Sequence, residues 1–529
     1  MPEKHPLIVI GIEVAGFDYI MKWIDAGYLP ALAGLAKNGI SGKIHSTSDI
    51  SSGTIWPTFY TGVSPAKNGQ FFTHMQLVNG TYKIDKKYAN DVKSEPFWFR
   101  LSREGKRVAV IDVAQTYPMK DFNGVQICGW GAEYPAWKQS SWPPNLINDV
   151  ISKFGRHPLA DEYRLSIKPE SPDEYDDFIS KLLTGLERKG KISEYILKQE
   201  KWDFFLTMFP ETHWAMHLLW QVFDKDHPAH NPEVIKKVEN IFLEIFMTID
   251  KWIGRFIKIY PQADFIVFSG SGMGPNYGGW HLLPEILVRL GLGPSNKKET
   301  TKIKPINKFL PSKKWGAYRI RKVEDTLSIK AIETLKRIIP RRTWDKWTRT
   351  ILFAGTDWEN SKAFSLPNDN SGAIRINLKG REPKGIIKPG EEYNSLCKLI
   401  TEELSQLVNV DTGKTAIEEV IRIDKTFSGD NINDLPDLII KWKGDAPIRG
   451  LQSPKLGTVY GENPERRSGG HRSISFFIGS GPDFPEEKSI DQISLMDLAP
   501  TILHLKGVSI PEDYDGKVIK EISRKELII

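Results

Sequence analysis

The stretch Trp202-Asp-Phe-Phe-Leu-Thr-Met-Phe-Pro-Glu-Thr-His-Trp-Ala-Met-His217 decides the fold class, because it joins a strand pattern directly to a helix pattern. Its apolar first part, residues 202–208, predicts a buried strand. Pro210 and Glu211 suit the first turn of a helix, where proline loses no hydrogen bond and a carboxylate meets the positive end of the helix dipole. The sequence therefore predicts a strand that leads at once into a helix.

That helix carries two histidines, His213 and His217, one turn apart on the same face. Two imidazoles at this spacing can hold one divalent cation and leave room for a third ligand and a substrate oxygen. They can equally be two helix histidines with ordinary packing or surface roles, and for the pair alone this is the simpler interpretation. The rest of the chain has to decide between the two.

Short, unbroken apolar runs recur along the chain, and such runs are typical of parallel strands covered on both faces. They alternate with helix patterns, such as the one across residues 233–260, and this order favours helices on both faces of one sheet. The predicted fold class is therefore α/β, with a mostly parallel central sheet. The predicted strands are 7–12, 107–112, 202–208, 264–269 (ending in a Gly-rich turn), 437–442 and 474–478.

Size and composition are those of an ordinary globular protein. The 529 residues allow two or three domains, and a net charge of +6 gives no nucleic-acid signature. The two cysteines form neither a disulfide framework nor a metal-binding spacing, which fits a reducing compartment. We see no signal segment and no apolar run near the ~20 residues that span a bilayer. We therefore expect a cytoplasmic protein without a transmembrane segment or a nucleic-acid partner.

One segment, residues 296–350, differs from the rest in charge. From Lys297 to Arg349 it has seventeen Lys/Arg residues against five Asp/Glu residues. We expect a basic, partly helical insertion that interrupts an α/β domain of residues 1–295 and 351–529. It is either a solvated basic face or a lid or contact surface for an acidic substrate, an anionic lipid or a partner.

Polar residues stand next to several predicted strands, at the edge where open parallel sheets gather their ligands. Glu13 follows the first strand, Ser271 follows the strand at 264–269, and His471 precedes the strand at 474–478. Each is a weak signal alone, but together with His213 and His217 they indicate a site.

A second polar region, Ser51-Ser-Gly-Thr-Ile-Trp-Pro-Thr-Phe-Tyr-Thr-Gly62, is rich in hydroxyl groups. A hydroxyl at the mouth of such a site can act as a nucleophile if a metal lowers its pKa. The alternative is a Ser/Thr-rich turn that caps a helix.

Sequence blocks spread over nearly the whole chain carry a family resemblance. They are Ile-Gly-Ile-Glu-Val-Ala-Gly-Phe-Asp at 10–18, Leu-Pro-Ala-Leu at 29–32, Thr-Gly-Val-Ser-Pro-Ala-Lys-Asn-Gly at 61–69, and the blocks at 108–112, 272–277, 377–383, 435–438 and 496–500. In this order they resemble the type I phosphodiesterase/nucleotide pyrophosphatase family of the alkaline phosphatase superfamily. The resemblance implies that superfamily's fold and two divalent metals, usually zinc, around a Ser/Thr nucleophile. It also implies a phosphorylated small-molecule substrate, which nucleotide-linked compounds would satisfy.

The resemblance assigns roles to particular residues. The nucleophile falls on Ser52, with Thr54 as the fallback. The family's Asp-x-x-x-His pair reads His213 and His217 here, and its late histidine is His471. Three imidazoles with an open fourth position are a competent zinc arrangement, so we predict one zinc ion on these three residues.

The second metal implied by the resemblance lacks most of its ligands. The family's first aspartate is Glu13 in this chain, and its later Asp-His pair reads Gly270 and Ser271. Only Glu13 and Ser52 remain, so we predict that this second site is weak or empty. His281 follows the altered motif and is either a substitute ligand or donor, or a histidine near a helix start.

Two functions are consistent with these residues. The first is a metal-dependent hydrolase of phosphodiester or pyrophosphate bonds with a one-metal centre, in which Ser52 is poorly activated or water attacks instead. The second is a catalytically impaired pseudoenzyme of the same fold that binds a phosphorylated ligand or partner. A sulfatase is excluded, because Ser52-Gly-Thr-Ile-Trp does not supply the Ser-x-Pro-x-Arg setting which that chemistry uses.

Overall fold

The computed structural model describes residues 5–522 except 73–74, 132–138, 161–168, 170, 233–237, 239, 294–356, 462, 464 and 466. The described residues fall into two compact units, one within 1–74, 88–276 and 466–529 and the other within 75–87 and 277–465.

The predicted basic insertion, residues 296–350, lies outside the described residues. The predicted division into this insertion and an α/β domain of residues 1–295 and 351–529 therefore stays a prediction. No sequence pattern indicated the second unit.

The strands are numbered in chain order. They are β1 (Leu7–Val14), β2 (Gly39–His45), β3 (Met75–Leu77), β4 (Ile84–Lys86), β5 (Val108–Ile111), β6 (Gly124–Cys128), β7 (Ser140–Trp142), β8 (Phe204–Phe209), β9 (Asp264–Pro275), β10 (Ala363–Leu366), β11 (Gly372–Ile376), β12 (Val408–Asn409), β13 (Ile417–Arg422), β14 (Leu438–Trp442), β15 (Gly450–Ser453), β16 (Gly457–Tyr460), β17 (Gly469–Arg472), β18 (Ile474–Ser480) and β19 (Lys488–Ser494).

The α-helices are numbered in the same way. They are α1 (Phe17–Asp25), α2 (Pro30–Lys37), α3 (Ile55–Thr61), α4 (Pro65–Asn68), α5 (Phe97–Arg103), α6 (Leu146–Phe154), α7 (Pro172–Leu197), α8 (Glu211–Phe223), α9 (Ile241–Ile259), α10 (Leu283–Arg289), α11 (Glu391–Ser405), α12 (Ile423–Thr426) and α13 (Leu498–Leu505).

One large sheet organises the first unit. Its order is β19, β2, β18, β9, β1, β8, β5, β6 and β7, and β17 pairs with β9 outside this row. The centre is parallel, since β1 pairs with β8 and β9, and β5 pairs with β8 and β6. Antiparallel pairs lie further out, between β6 and β7 and between β18 and its neighbours β9 and β2. The predicted α/β fold with a mostly parallel sheet is confirmed.

Strand β1 lies between two hydrophobic cores. Ile8, Ile10 and Ile12 belong to a core that contains apolar residues of α7, α8 and α9. Leu7 and Val9 point to the other face, where apolar residues of α3, α5 and α13 form a second core. Because both faces of β1 are covered, the side chains that point to either face are apolar. This explains the unbroken apolar run in the sequence.

Two strands differ from their predictions, one in where it ends and the other in the sheet to which it belongs. The strand at 264–269 does not end in a turn but continues as β9 through the glycines to Pro275, because β17 pairs with its last four residues. The strand at 437–442 is β14, which belongs to the second unit rather than to the large sheet.

The second unit is built on antiparallel pairing. It contains a four-stranded sheet in the order β10, β11, β14, β13, a three-stranded sheet of β12, β15 and β16, and the β3–β4 pair. Its core is separate and includes Leu396 and Ile400 of α11 and Ile286 of α10. Among the described residues of both units, no helix combines the length and apolar character needed to cross a membrane.

Candidate metal centre

Helix α8 begins immediately after the central strand β8. Pro210 is its N-cap residue and Glu211 is its first helical residue. The hydroxyl oxygen of Thr212 accepts a hydrogen bond of 3.1 Å from the backbone N–H of Val14, so the helix start is fixed to the end of β1. The sheet thus fixes where the first turn of α8 projects its side chains.

Three imidazoles converge where α8 meets β17. The Nε2 atom of His213 lies 2.8 Å from Nε2 of His217 and 3.0 Å from Nε2 of His471. The Nε2 atoms of His217 and His471 are 3.2 Å apart. All three side chains are buried, and in the part of the chain that the structure describes this is the one group of three or more His, Cys, Asp or Glu residues placed to hold a metal ion, with ligand atoms within 4.8 Å of one another.

This triangle of nitrogen atoms fits a single cation. Tetrahedral zinc has Zn–N distances of about 2.0–2.1 Å, which separates its ligand atoms by roughly 3.3 Å. Separations of 2.8–3.2 Å therefore leave a point at bonding distance from all three Nε2 atoms. Three buried nitrogen lone pairs this close are also unfavourable unless a proton or a cation lies between them.

Two neighbouring groups hold the rings in this orientation. The Nδ1–H of His217 donates to the carbonyl oxygen of Gly469 at 2.7 Å, so the lone pair of the neutral ring is on Nε2. The Nδ1 atom of His471 pairs with Oγ of Ser271 at 2.8 Å. Hydrogen bonds of this kind are the usual outer support of histidine ligands. Ser271, predicted as a low-ranking site residue, therefore lies behind His471.

Backbone contacts bring α8 and β17 together. The N–H of Ser468 donates to the carbonyl oxygen of His217 at 2.8 Å. On the other side β17 pairs with β9, and His471 stands opposite Met273. His471 does precede β18, the strand predicted at 474–478, and the structure adds that it lies in a short strand of its own.

The electrostatic surroundings of His217 favour a neutral imidazole. Burial, followed by the charge of Arg467 and the neighbouring His471, holds the pKa of His217 well below its usual range. A neutral imidazole is the form that binds a metal, so no proton has to be displaced from His217 near neutral pH.

The two candidate nucleophiles of the hydroxyl-rich region, Ser52 and Thr54, differ in burial. Thr54 is buried, and its Oγ1 lies 2.7 Å from both the Ser51 carbonyl oxygen and Oγ1 of Thr47. Ser52 begins a 3₁₀ turn ahead of α3 and is only partly buried. The fallback residue thus holds the turn together, and Ser52 is the more accessible hydroxyl.

Glu13 lies in a closed environment. Its side chain is 6 % exposed, and its Oε1 accepts a hydrogen bond from Nε1 of Trp56. Burial raises the pKa of Glu13 to about 8, the Trp56 bond opposes this rise, and the nearby Asp112 and Glu211 add to it. Glu13 is therefore mostly protonated at pH 7, and it is not a member of the histidine group.

His281 has a local role in the second unit. Its Nε2–H donates to the carbonyl oxygen of Gly461 at 3.1 Å. It is not a member of the histidine group either. The structure therefore supports the simpler alternative for this residue.

Several residues of the site region had no sequence signal. Trp56 reads as a core residue, and Glu211 reads as an ordinary helix-start acid. Glu211 is completely buried, and one of its carboxylate oxygens lies 3.3 Å from Nε2 of His157, a residue from the loop before α7. Only the spatial arrangement reveals that Trp56 contacts Glu13 and that Glu211 is buried beside His157.

Comparisons with known proteins agree with the fold. A family model described as type I phosphodiesterase/nucleotide pyrophosphatase matches residues 7–312. A search of curated proteins found no match.

Solved structures add likeness at low identity. Phosphonoacetate hydrolase from Sinorhizobium meliloti 1021, in complex with phosphonoformate, is 12% identical, with a TM-score of 0.52 and 96% of each chain covered. Murine ectonucleotide pyrophosphatase/phosphodiesterase 5 is also 12% identical, with a TM-score of 0.44 and 96% of each chain covered. Its human counterpart has the same identity and TM-score, with 99% of this chain and 100% of that chain covered. At this identity the likeness to the hydrolase is one of fold.

The family match begins at the first residue of β1, extends beyond β9 and covers more than half of the chain. It therefore includes Ser52, His213 and His217, together with the central strands that carry them. The chain belongs to the type I phosphodiesterase/nucleotide pyrophosphatase family, a family of phosphohydrolases.

Proposed function

We propose that this chain hydrolyses phosphodiester or pyrophosphate bonds with a centre that holds one divalent cation, zinc, on His213, His217 and His471. The observation that carries the proposal is the triangle of three buried Nε2 atoms, 2.8–3.2 Å apart. When bound, such a cation supplies Lewis acidity toward a phosphoryl oxygen. Family membership gives the class of bond.

In this chemistry the protein orients the metal-binding imidazole rings and excludes bulk water from one side of the centre. The Gly469 carbonyl oxygen and the Ser271 hydroxyl fix the rings of His217 and His471, so the Nε2 atoms need no rearrangement. Burial of the three imidazoles keeps bulk water from one side of the centre. Ser52 is the hydroxyl that we propose as the attacking group, because it is more accessible than its competitor Thr54, which is buried.

The substrate in this proposal is a phosphorylated small molecule, and nucleotide-linked phosphates are the compounds to test first, since the family description names nucleotide pyrophosphatases. A cytoplasmic location is part of the same proposal. Both cysteines, Cys128 and Cys397, are buried free thiols, which suits a reducing compartment.

One observation favours the second candidate, a pseudoenzyme that binds a phosphorylated ligand without turnover. Glu13 stands alone beside Ser52, since the later Asp-His pair that the family resemblance implies reads Gly270 and Ser271 in this chain, and one carboxyl group offers little support for a second cation. Without such a cation the pKa of the Ser52 hydroxyl stays high, and its attack is slow.

Metal content and hydrolysis, measured together, separate the candidates. We expect one zinc ion per chain of the purified protein, loss of this ion in His471→Ala, and zinc-dependent hydrolysis of bis(p-nitrophenyl) phosphate. One zinc ion without hydrolysis, but with nucleotide binding in calorimetry, would instead support the pseudoenzyme. Absence of metal from the wild-type chain after zinc titration would refute the proposed centre, and together with absence of hydrolysis it would point to the pseudoenzyme. Ser52→Ala is the matched control, since unchanged hydrolysis would remove Ser52 from the attacking role.

A further inference from the structure

We propose that Trp56 closes the position beside Glu13 where a second divalent cation would bind, and that this residue keeps the centre mononuclear. The inference rests on the proposed function and deepens it, because it names the residue that sets the number of ions.

The strand register places Glu13 next to a glycine. In the parallel pair of β1 and β9, Ile12 stands opposite Ser269 and Val14 stands opposite Ser271. Glu13 and Gly270 are therefore neighbours on the same face of the sheet. These are two positions from which side chains could hold an ion in common.

Trp56 occupies the space above both positions. Its side chain is 3 % exposed, and its ring packs against Phe59 and Phe268. A Cβ atom added to Gly270 would lie only 2.9 Å from Cζ2 of Trp56 and 3.0 Å from Cγ2 of Ile55. Carbon atoms normally separate by about 3.5–4.0 Å, so no acidic side chain fits at Gly270 while the indole is present.

The same indole engages the remaining acid. Nε1 of Trp56 donates its proton to Oε1 of Glu13. An indole N–H can donate but cannot coordinate a cation, so Trp56 brings no ligand of its own to the place beside Glu13. Trp56 therefore blocks the Gly270 position by volume and fixes the Glu13 carboxyl group by a hydrogen bond.

Zinc counting on two variants and the wild type tests the inference directly. We expect Trp56→Ala/Gly270→Asp to bind one zinc ion more than the wild type. Trp56→Phe keeps most of the ring volume without the N–H and should gain no ion. The difference between variant and wild type tests the role of Trp56, while the wild-type count alone tests the proposed function. An equal count in the folded double variant and the wild type would overturn the inference.

A stability measurement keeps the inference testable if the double variant does not fold. Gly270→Ala should lower the thermal midpoint in the presence of Trp56, and this loss should shrink by at least half in a Trp56→Ala background. Unfolding of metal-free protein, followed by circular dichroism, gives the four midpoints of this cycle. Equal losses in the two backgrounds would show that the indole does not fill the space above Gly270.

Discussion

Replacement of His213 by alanine gives a quantitative test of the histidine centre. His213 contributes one of the three Nε2 atoms, at 2.8 Å from that of His217 and 3.0 Å from that of His471. Its removal leaves two imidazoles and no change in the strand or helix that carries them. We therefore expect folding to persist while zinc affinity falls.

The expected loss of zinc-dependent stability follows from the number of zinc ligands removed and from the linkage between zinc binding and folding. Loss of an outer hydrogen-bond partner alone weakens metal binding by about 10–100-fold, so loss of a direct ligand should cost at least about 100-fold. At a free zinc concentration 1,000 times the wild-type Kd, bound zinc stabilises the wild type by about 4.1 kcal/mol. The variant would then be at about ten times its own Kd and would gain only about 1.4 kcal/mol. Zinc-dependent stabilisation should thus fall by about 2.7 kcal/mol.

Urea unfolding in buffered zinc and in chelator measures this difference. The matched control is His281→Ala, which removes an imidazole that bonds to Gly461 and is not a member of the histidine group. The control should keep the full zinc effect. Full zinc stabilisation of His213→Ala, or an equal loss in His281→Ala, would refute the proposed ligand set.

Further predictions concern the surroundings of the site. Burial raises the pKa of Cys128 to about 12 and of Cys397 to about 11, so neither thiol should react with Ellman's reagent at pH 8 until guanidinium unfolds the protein; rapid reaction of the folded chain would contradict this. Thr54→Val should lower the free energy of unfolding by about 1–3 kcal/mol, because it removes a fully buried hydroxyl with two hydrogen-bond partners, and Ser52→Ala should cost less because Ser52 is less buried; equal denaturation midpoints of the two variants would argue against the assigned roles. Asp250 accepts hydrogen bonds of 3.0 and 2.8 Å from two backbone N–H groups in the first turn of α2, so Asp250→Ala should cost about 1–2 kcal/mol in the same assay.

The central sheet could be predicted because burial on both faces leaves a simple signature. Ile8 and Val9 point into different cores, yet both are apolar, and the run around them has no polar break. The strand β8 and the helix start at Pro210 could also be predicted, since proline and glutamate suit the first turn. These elements could be predicted because residues adjacent in the sequence determine them.

The rest depends on pairings between distant parts of the chain. The second unit joins residues 75–87 to residues 277–465, and no local pattern reports such a partnership. The glycines after Ser269 were interpreted as a turn, but β17 pairs with them and extends the strand. Gly270 itself reads as a lost ligand, and only the contact with Trp56 reveals what occupies the space. A residue's neighbours across the fold were the missing information in each case.

Because the short strand β17 comes late in the sequence, the proposed centre can be completed only after most of the chain has been synthesised. His471 comes 254 residues after His217, so a ribosome delivers α8 long before the third imidazole exists. During translation the emerging protein can offer a metal only two nitrogen atoms, and tight capture has to wait until β17 docks on β9. A zinc ion bound there would then link early and late segments of the chain. Its release would be an early sign that the carboxyl-terminal segment had detached from the sheet.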